Sequence, residues 1–588
     1  MKKLVNIHSM SIIFRKKNIP ENISSGFLPS YRTIFNDYLF TNNNLMYKIS
    51  PKIKVRNNIY FYKDNSTIVD FNNTTYTDNT ETIVENNYLR KPKYFRVDTK
   101  LTYNTSKKSL LESDLIFKSQ STNSQYSTIQ NFSNEFNSKL KTTDIFLKSK
   151  VEFTLKLSDL KALQLKSVFS NNTIPQIFTS SPANSFITQS NSNSNEQRSK
   201  FSSQIFENTI TYLSSLKKLK NTYSLTFLNE NKPFASQLYE NNIIFNSFVN
   251  DLTYNKSIVS GNYFVSFKIS KIKFQPYASV NYIEQKIEDI KKDDLMALYA
   301  ISATYTKKKH TFYINNRLDY KTPSEDFLFL NNVVLNNNSV KNNIVSFDLI
   351  KTNNASILYK YDNLIKLSLL KLSLSYTKTD NSYTFNLNIN PNFLTYTYFQ
   401  NPTDIISKSL MFDFDKSLKK IPLSIKHSSI YSINNYQNSI NSLELRNNTE
   451  KTYTANLFLF SLFNFPLNFE SKLSFSNSTY LLNNLDKTNI KSINSIFKII
   501  MKPFSNTVFS VTNEYYKTDL SSNYSLSLFD FNFQYKSKKY NWLNFSLQGK
   551  NLFDVKNYSQ TTTNDYSTTI YQTQLINRNF LLSTKIDL

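Results

Sequence analysis

The chain contains no cysteine. That excludes a disulfide scaffold, a Cys-ligated zinc site and a thiol nucleophile. Glycine is almost missing as well. Gly26, Gly261 and Gly549 are the three among 588 residues, where average usage is about 7%. No phosphate-binding or dinucleotide-binding glycine pattern can be assembled from them. The histidines, His8, His310 and His427, are far apart and lack the spacing of a metal cluster. There is no G-x-S-x-G elbow to mark a nucleophilic serine. We therefore expect no catalytic, cofactor or metal site: the chain is not read as an enzyme. His310 is expected in a turn and His427 within a strand, each as a polar lumen or turn residue. The acidic pair Asp293 and Asp294 is expected in a solvated, lysine-rich loop over 288–294.

Long apolar runs are also lacking. Residues 457–467 (LFLFSLFNFPL) are broken by Ser461, Asn464 and Pro466, whereas a membrane-spanning helix needs about 20 apolar residues. The start, MKKLVNIHSMSIIFRKK, is basic but its apolar part is interrupted by Asn6, His8 and Ser9. It makes a poor signal peptide. Residues 1–40 are accordingly set apart as an N-terminal segment, a poor signal or a remnant.

What is present is basic, polar and aromatic. Seventy basic residues against 43 acidic ones give a net charge of +27. The lysines are spread along the chain, with no tract longer than short runs such as Lys307, Lys308 and Lys309. That dispersion speaks against a nucleic-acid cleft. Lys, Asn, Ile, Phe and Tyr abound together, as expected of AT-rich codons. The texture is uniform, with no linkers, so residues 41–588 are read as one large domain.

The strongest pattern is period two, which places alternate side chains on opposite faces of a strand. Phe95, Val97, Thr99, Leu101 and Tyr103 alternate with Arg96, Asp98, Lys100, Thr102 and Asn104. Phe529, Phe531, Phe533 and Tyr535 alternate with Asp530, Asn532, Gln534 and Lys536. Such stretches pair across short polar turns, for example 95–103 with 111–117, and 297–305 with 311–320. Longer polar segments separate the pairs, at 64–93, 120–142, 171–200, 322–339 and 551–577. Within the third of these, 184–200 is rich in Asn and Ser and reads as an exposed loop.

Short turn, long loop, short turn is the rhythm of a transmembrane barrel. The fold class expected is all-β: a large antiparallel transmembrane β-barrel of roughly 20–22 strands, with short periplasmic turns and long extracellular loops. Stretches 357–376 and 457–474 can be cut in more than one way. A surface-exposed all-β adhesin or structural envelope protein without a pore is the alternative.

The C-terminal segment carries a resemblance. Trp542 to Asp554 (WLNFSLQGKNLFD), a polar loop, and a last strand led by Arg578 (RNFLLSTKIDL) resemble the end of TonB-dependent outer-membrane receptors, particularly those of Bacteroidota. Asn551, Leu552, Phe553, Asp554 and Arg578 occupy the family-motif positions. The resemblance implies the bacterial outer membrane as location and transport of a solute as function. It implies outer-membrane lipid and the barrel-assembly machinery as partners, with no nucleic acid and no cofactor. Leu588 departs from the terminal aromatic residue usual in such barrels. The family's N-terminal plug is not recognisable here. Its loss, a separately encoded plug acting with TonB, or a start inside a broken gene are three open readings.

Overall fold

The computed structural model describes residues 5–15, as backbone, and 28–586 except 189–191, 217–218, 402, 419, 442–443, 484–485, 523 and 541. His8 and Leu588 thus have no described side chain.

The alternating stretches form strands. Among the described residues, twenty-four strands follow one another in unbroken antiparallel pairing, from Val5–Arg15 to Asn579–Ile586. The count exceeds 20–22 partly because Val5–Arg15, in the segment set apart at the N-terminus, pairs with Phe35–Lys48. The ambiguous stretches each resolve into two strands, Ile350–Asn363 with Ser368–Asp380, and Arg446–Ser461 with Leu467–Leu482.

Several segments expected as loops are strand instead. Ile53–Tyr76 and Glu81–Ser106 run 24 and 26 residues and meet at a tight turn, so most of 64–93 is paired. Ser109–Gln130 and Asn134–Ser158 do the same over 120–142. Asp293 and Asp294 lie within the strand Ile290–Lys307, not in a loop. Crossing a bilayer takes only about 9–11 residues of tilted strand. Beyond it both faces can be polar, so the pairing continues while the alternation that reveals it fades.

One face of the wall is apolar and open. Leu165, Ile210, Leu225, Gly261 and Val280 form one row across five neighbouring strands. Their side chains are 41%, 50%, 56% and 54% exposed, glycine aside. A belt of this kind suits lipid, not water. The opposite face pairs its charges: Lys166 meets Glu207 at 2.7 Å, and Lys256 meets Glu230 at 2.9 Å. The two histidines correct the expectation of lumen or turn residues: His427 shares the outward face with Ile425 and Leu423, beside Phe412, and His310 opens the strand His310–Lys321 on the face of Phe312.

At the long-loop end the ring is closed by a hairpin from the last loop. Ser567–Gln574 pairs with residues 70–76 of Ile53–Tyr76. Ile576 N–H also donates to the Arg32 carbonyl at 2.8 Å. Among the described residues no separate domain stands inside the barrel.

Candidate functional site

Two loops at that end fold inward and join. Val333–Asn336 and Ser339–Asn343 make one hairpin, Tyr383–Asn390 and Phe393–Gln400 another. Ser339–Asn343 runs parallel to Phe393–Gln400, giving a four-stranded sheet. Asn386 and Leu387 attach it to Ser439 and Ile440 on one wall.

Its far tip docks on the opposite wall, about halfway round the ring. The Pro391 carbonyl accepts from Gln130 Nε2 at 3.2 Å and Asn131 Nδ2 at 3.1 Å. Ser138 Oγ donates to Asn337 Oδ1 at 2.6 Å, and Gln197 exchanges two hydrogen bonds with the Val334 backbone at 2.7 and 3.0 Å. Asn184, at the start of the Asn/Ser-rich segment, is buried and donates to the Asn337 carbonyl. The sheet therefore spans the mouth.

Residues 383–390 (YTFNLNIN) alternate as cleanly as a wall strand, and at eight residues they match the wall strands Leu543–Lys550 and Asn579–Ile586 in length. Neither pattern nor length marked them as a cover, and nothing local says where the hairpin docks.

An aromatic knot holds the sheet. Phe327 stacks on Tyr383 with centroids 4.2 Å apart. The Lys341 ammonium lies 4.8, 5.4 and 4.7 Å from the rings of Phe327, Phe329 and Tyr398. Burial holds that ammonium below the ordinary lysine range, with Asp326 partly opposing. Burial likewise pushes the Tyr383 phenol up to about 12, and the phenol donates to the Ser346 carbonyl at 2.9 Å.

Beneath the sheet, against the wall, lies a cavity of about 480 Å³. Its lining is neutral: Asn72, Asn86, Gln176 and Gln197 with Tyr76, Tyr88 and Tyr126, roofed by residues 334–338. A space of this size and polarity can hold a small hydrogen-bonding solute.

The five motif residues gather in a turn at the same end of the barrel. Asn551 is buried with φ of 50°. Its Nδ2 donates to the Val555 and Ile576 carbonyls at 2.8 and 2.9 Å, and its Oδ1 accepts from Val555 N–H at 3.0 Å. Leu552 N–H donates to the Phe529 carbonyl at 2.9 Å, and Phe553 lies against Phe529. Asp554 Oδ1 accepts the Arg578 N–H at 2.9 Å. These five were singled out by the resemblance alone; their partner Asp530 was placed only on a polar face. Asp530 accepts the Asn551 N–H at 2.9 Å and a two-pronged contact from Arg32. The sequence reading missed Arg32.

No protein-family model and no curated protein matches the sequence. Solved structures do match its shape. A mutant of the ferric enterobactin receptor of Pseudomonas aeruginosa superposes with a TM-score of 0.53 at 10% identity, over 94% of this chain and 79% of that one. FpvA of P. aeruginosa, bound to heterologous pyoverdines, gives 0.51 at 9% identity, over 92% and 71%. A copper transporter gives 0.50 at 9% identity, over 92% and 79%. The likeness is one of fold: this chain is a large transmembrane antiparallel β-barrel.

Proposed function

We propose that this chain is an outer-membrane transport barrel related to TonB-dependent receptors of the Bacteroidota type, passing a solute through its polar lumen. The observation that carries this reading is the loop sheet covering the mouth, with a neutral cavity held between it and the wall. A freely open pore has no use for such a cover; a selective entry does. The apolar outer belt supports lipid as surroundings, and insertion falls to the barrel-assembly machinery. The barrel domain is taken as 41–588 together with the earlier wall residues of Val5–Arg15 and Phe35–Lys48. A separately encoded plug and TonB remain the partners that would make transport energy-coupled.

Because the chain lacks cysteine, a pair can be introduced without interference. Ser138→Cys with Asn337→Cys places two thiols across the contact between wall and cover. In planar bilayers the oxidised protein should conduct less than the reduced one. Equal conductance in both states would sink the gating role. No conductance steps in either state would favour the adhesin.

A further inference from the structure

The cavity beneath the cover has a lining without formal charge, but a carboxylate stands just behind it. Asp70 lies on the lumen face beyond the apolar belt, directly opposite Asn86, and Asn72 follows it on the same face. Both asparagines line the cavity. Asp70 is only 6% exposed, and Asn86 Nδ2 donates to its Oδ1 at 2.8 Å. Among the described residues, no lysine, arginine or histidine forms an ion pair with it. Burial pushes its carboxyl up to about 6, with the Asn86 hydrogen bond opposing. Burial first, and then the Asp70 charge, raises the phenols of Tyr88 and Tyr571.

A buried carboxylate without a counter-ion is costly, and a cation brought close offsets that cost. The lining suits a cation in two further ways. The rings of Tyr76, Tyr88 and Tyr126 border the space, with Tyr88 and Tyr126 edge to face at 5.2 Å. Such rings attract ammonium groups. Two hydroxyls have already given up their protons, Thr128 Oγ1 to Asn86 Oδ1 at 3.0 Å and Ser138 Oγ to Asn337 Oδ1 at 2.6 Å. Towards a ligand both oxygens can only accept. No lysine, arginine or histidine is among the lining residues to repel a positive charge, although the chain as a whole carries +27.

We infer that this cavity selects a small organic ammonium ion, its N–H groups on Thr128 and Ser138 and its charge among the tyrosine rings, opposite the Asp70 carboxylate. Asp70 acts through space and through Asn86, as a specificity determinant behind the lining. The inference rests on the reading that a solute is held beneath the cover.

Calorimetry on the purified full chain in neutral detergent tests it with aminobutanol, butanediol and hydroxybutyrate, which differ in the charge of one terminal group. The amine should bind about tenfold tighter than the diol, and the hydroxy acid weakest. Asp70→Asn can still accept from Asn86 but lacks the charge. It should weaken amine binding about tenfold and leave the diol unchanged. Tyr126→Leu should weaken the amine about fivefold, while Tyr126→Phe, which keeps a ring, should not. Heat-modifiable migration checks that each variant is folded. An amine bound no tighter than the diol, an equal loss of both in Asp70→Asn, or no binding of any probe would overturn the inference. Failure of the gating reading shows separately, as equal conductance of the oxidised and reduced Ser138→Cys, Asn337→Cys chain.

Discussion

Arg32 and Glu514 meet at 2.7 Å although 482 residues separate them, and both are buried. The same guanidinium grips Asp530 with two hydrogen bonds of 2.9 and 2.8 Å. Burial opposes the arginine's charge, but the two carboxylates hold its pKa above the ordinary value. This contact ties the start of the barrel to its last strands. Arg32→Met should cost about 3–5 kcal/mol, because it strands two carboxylates in a poorly solvated place. The measurement is the temperature at which the heat-modifiable band shifts. Adding Glu514→Gln and Asp530→Asn should recover most of the loss; if the triple variant is no better than the single, the charges are not the cause.

Asn551 closes the motif turn with three side-chain hydrogen bonds from a left-handed backbone. Asn551→Ala should cost roughly 3 kcal/mol by removing those bonds and straining the backbone. Asn551→Gly loses the bonds but not the conformation, and should cost about 1 kcal/mol less. Denaturant midpoints of the refolded barrel would separate the two; equal losses would leave backbone strain without a role.

Two glycines predict opposite outcomes. A Cβ on Gly549 would lie 2.3 Å from the Phe531 ring, whereas one on Gly261 meets nothing within 4 Å. Gly549→Ala should destabilise by about 1–3 kcal/mol through overpacking. Gly261→Ala should be neutral or stabilise by about 0.5–1 kcal/mol, since a strand glycine gives up more chain entropy. Thermal shifts of the folded band test both, and a loss at Gly261 as large as at Gly549 would contradict the packing.

The cover should loosen in alkali. A solvated tyrosine ionises near 10, while docking raises the Tyr383 phenol to about 12. The docked sheet thus holds the extra proton between these values. Its advantage is complete below pH 10 and declines as pH rises through about 12. The nearby Lys341 works the other way: its depressed docked pKa lets docking strengthen as pH rises towards 10.5. In a Lys341→Met background, conductance should therefore climb between pH 10 and 12, and Tyr383→Phe should flatten the climb. The same curve with either residue would remove Tyr383 from the account.

By itself the sequence determined the wall. Runs such as Phe95 to Asn104 state in ten residues which side chains face lipid and which face the lumen, because alternation is local and a strand has no other way to segregate them. A resemblance singled out Asn551, Leu552, Phe553, Asp554 and Arg578, but only the fold gathers them at one turn. Extended strand beyond the belt was hidden, since polar faces on both sides erase the alternation while the backbone pairing persists. The tertiary structure alone decided that Arg32 would find Glu514 and Asp530, and that the hairpin 383–400 would cross the mouth to Gln130 and Asn131. Those contacts depend on which strands the ring brings together, and a pairing across hundreds of residues leaves no periodic trace in either partner.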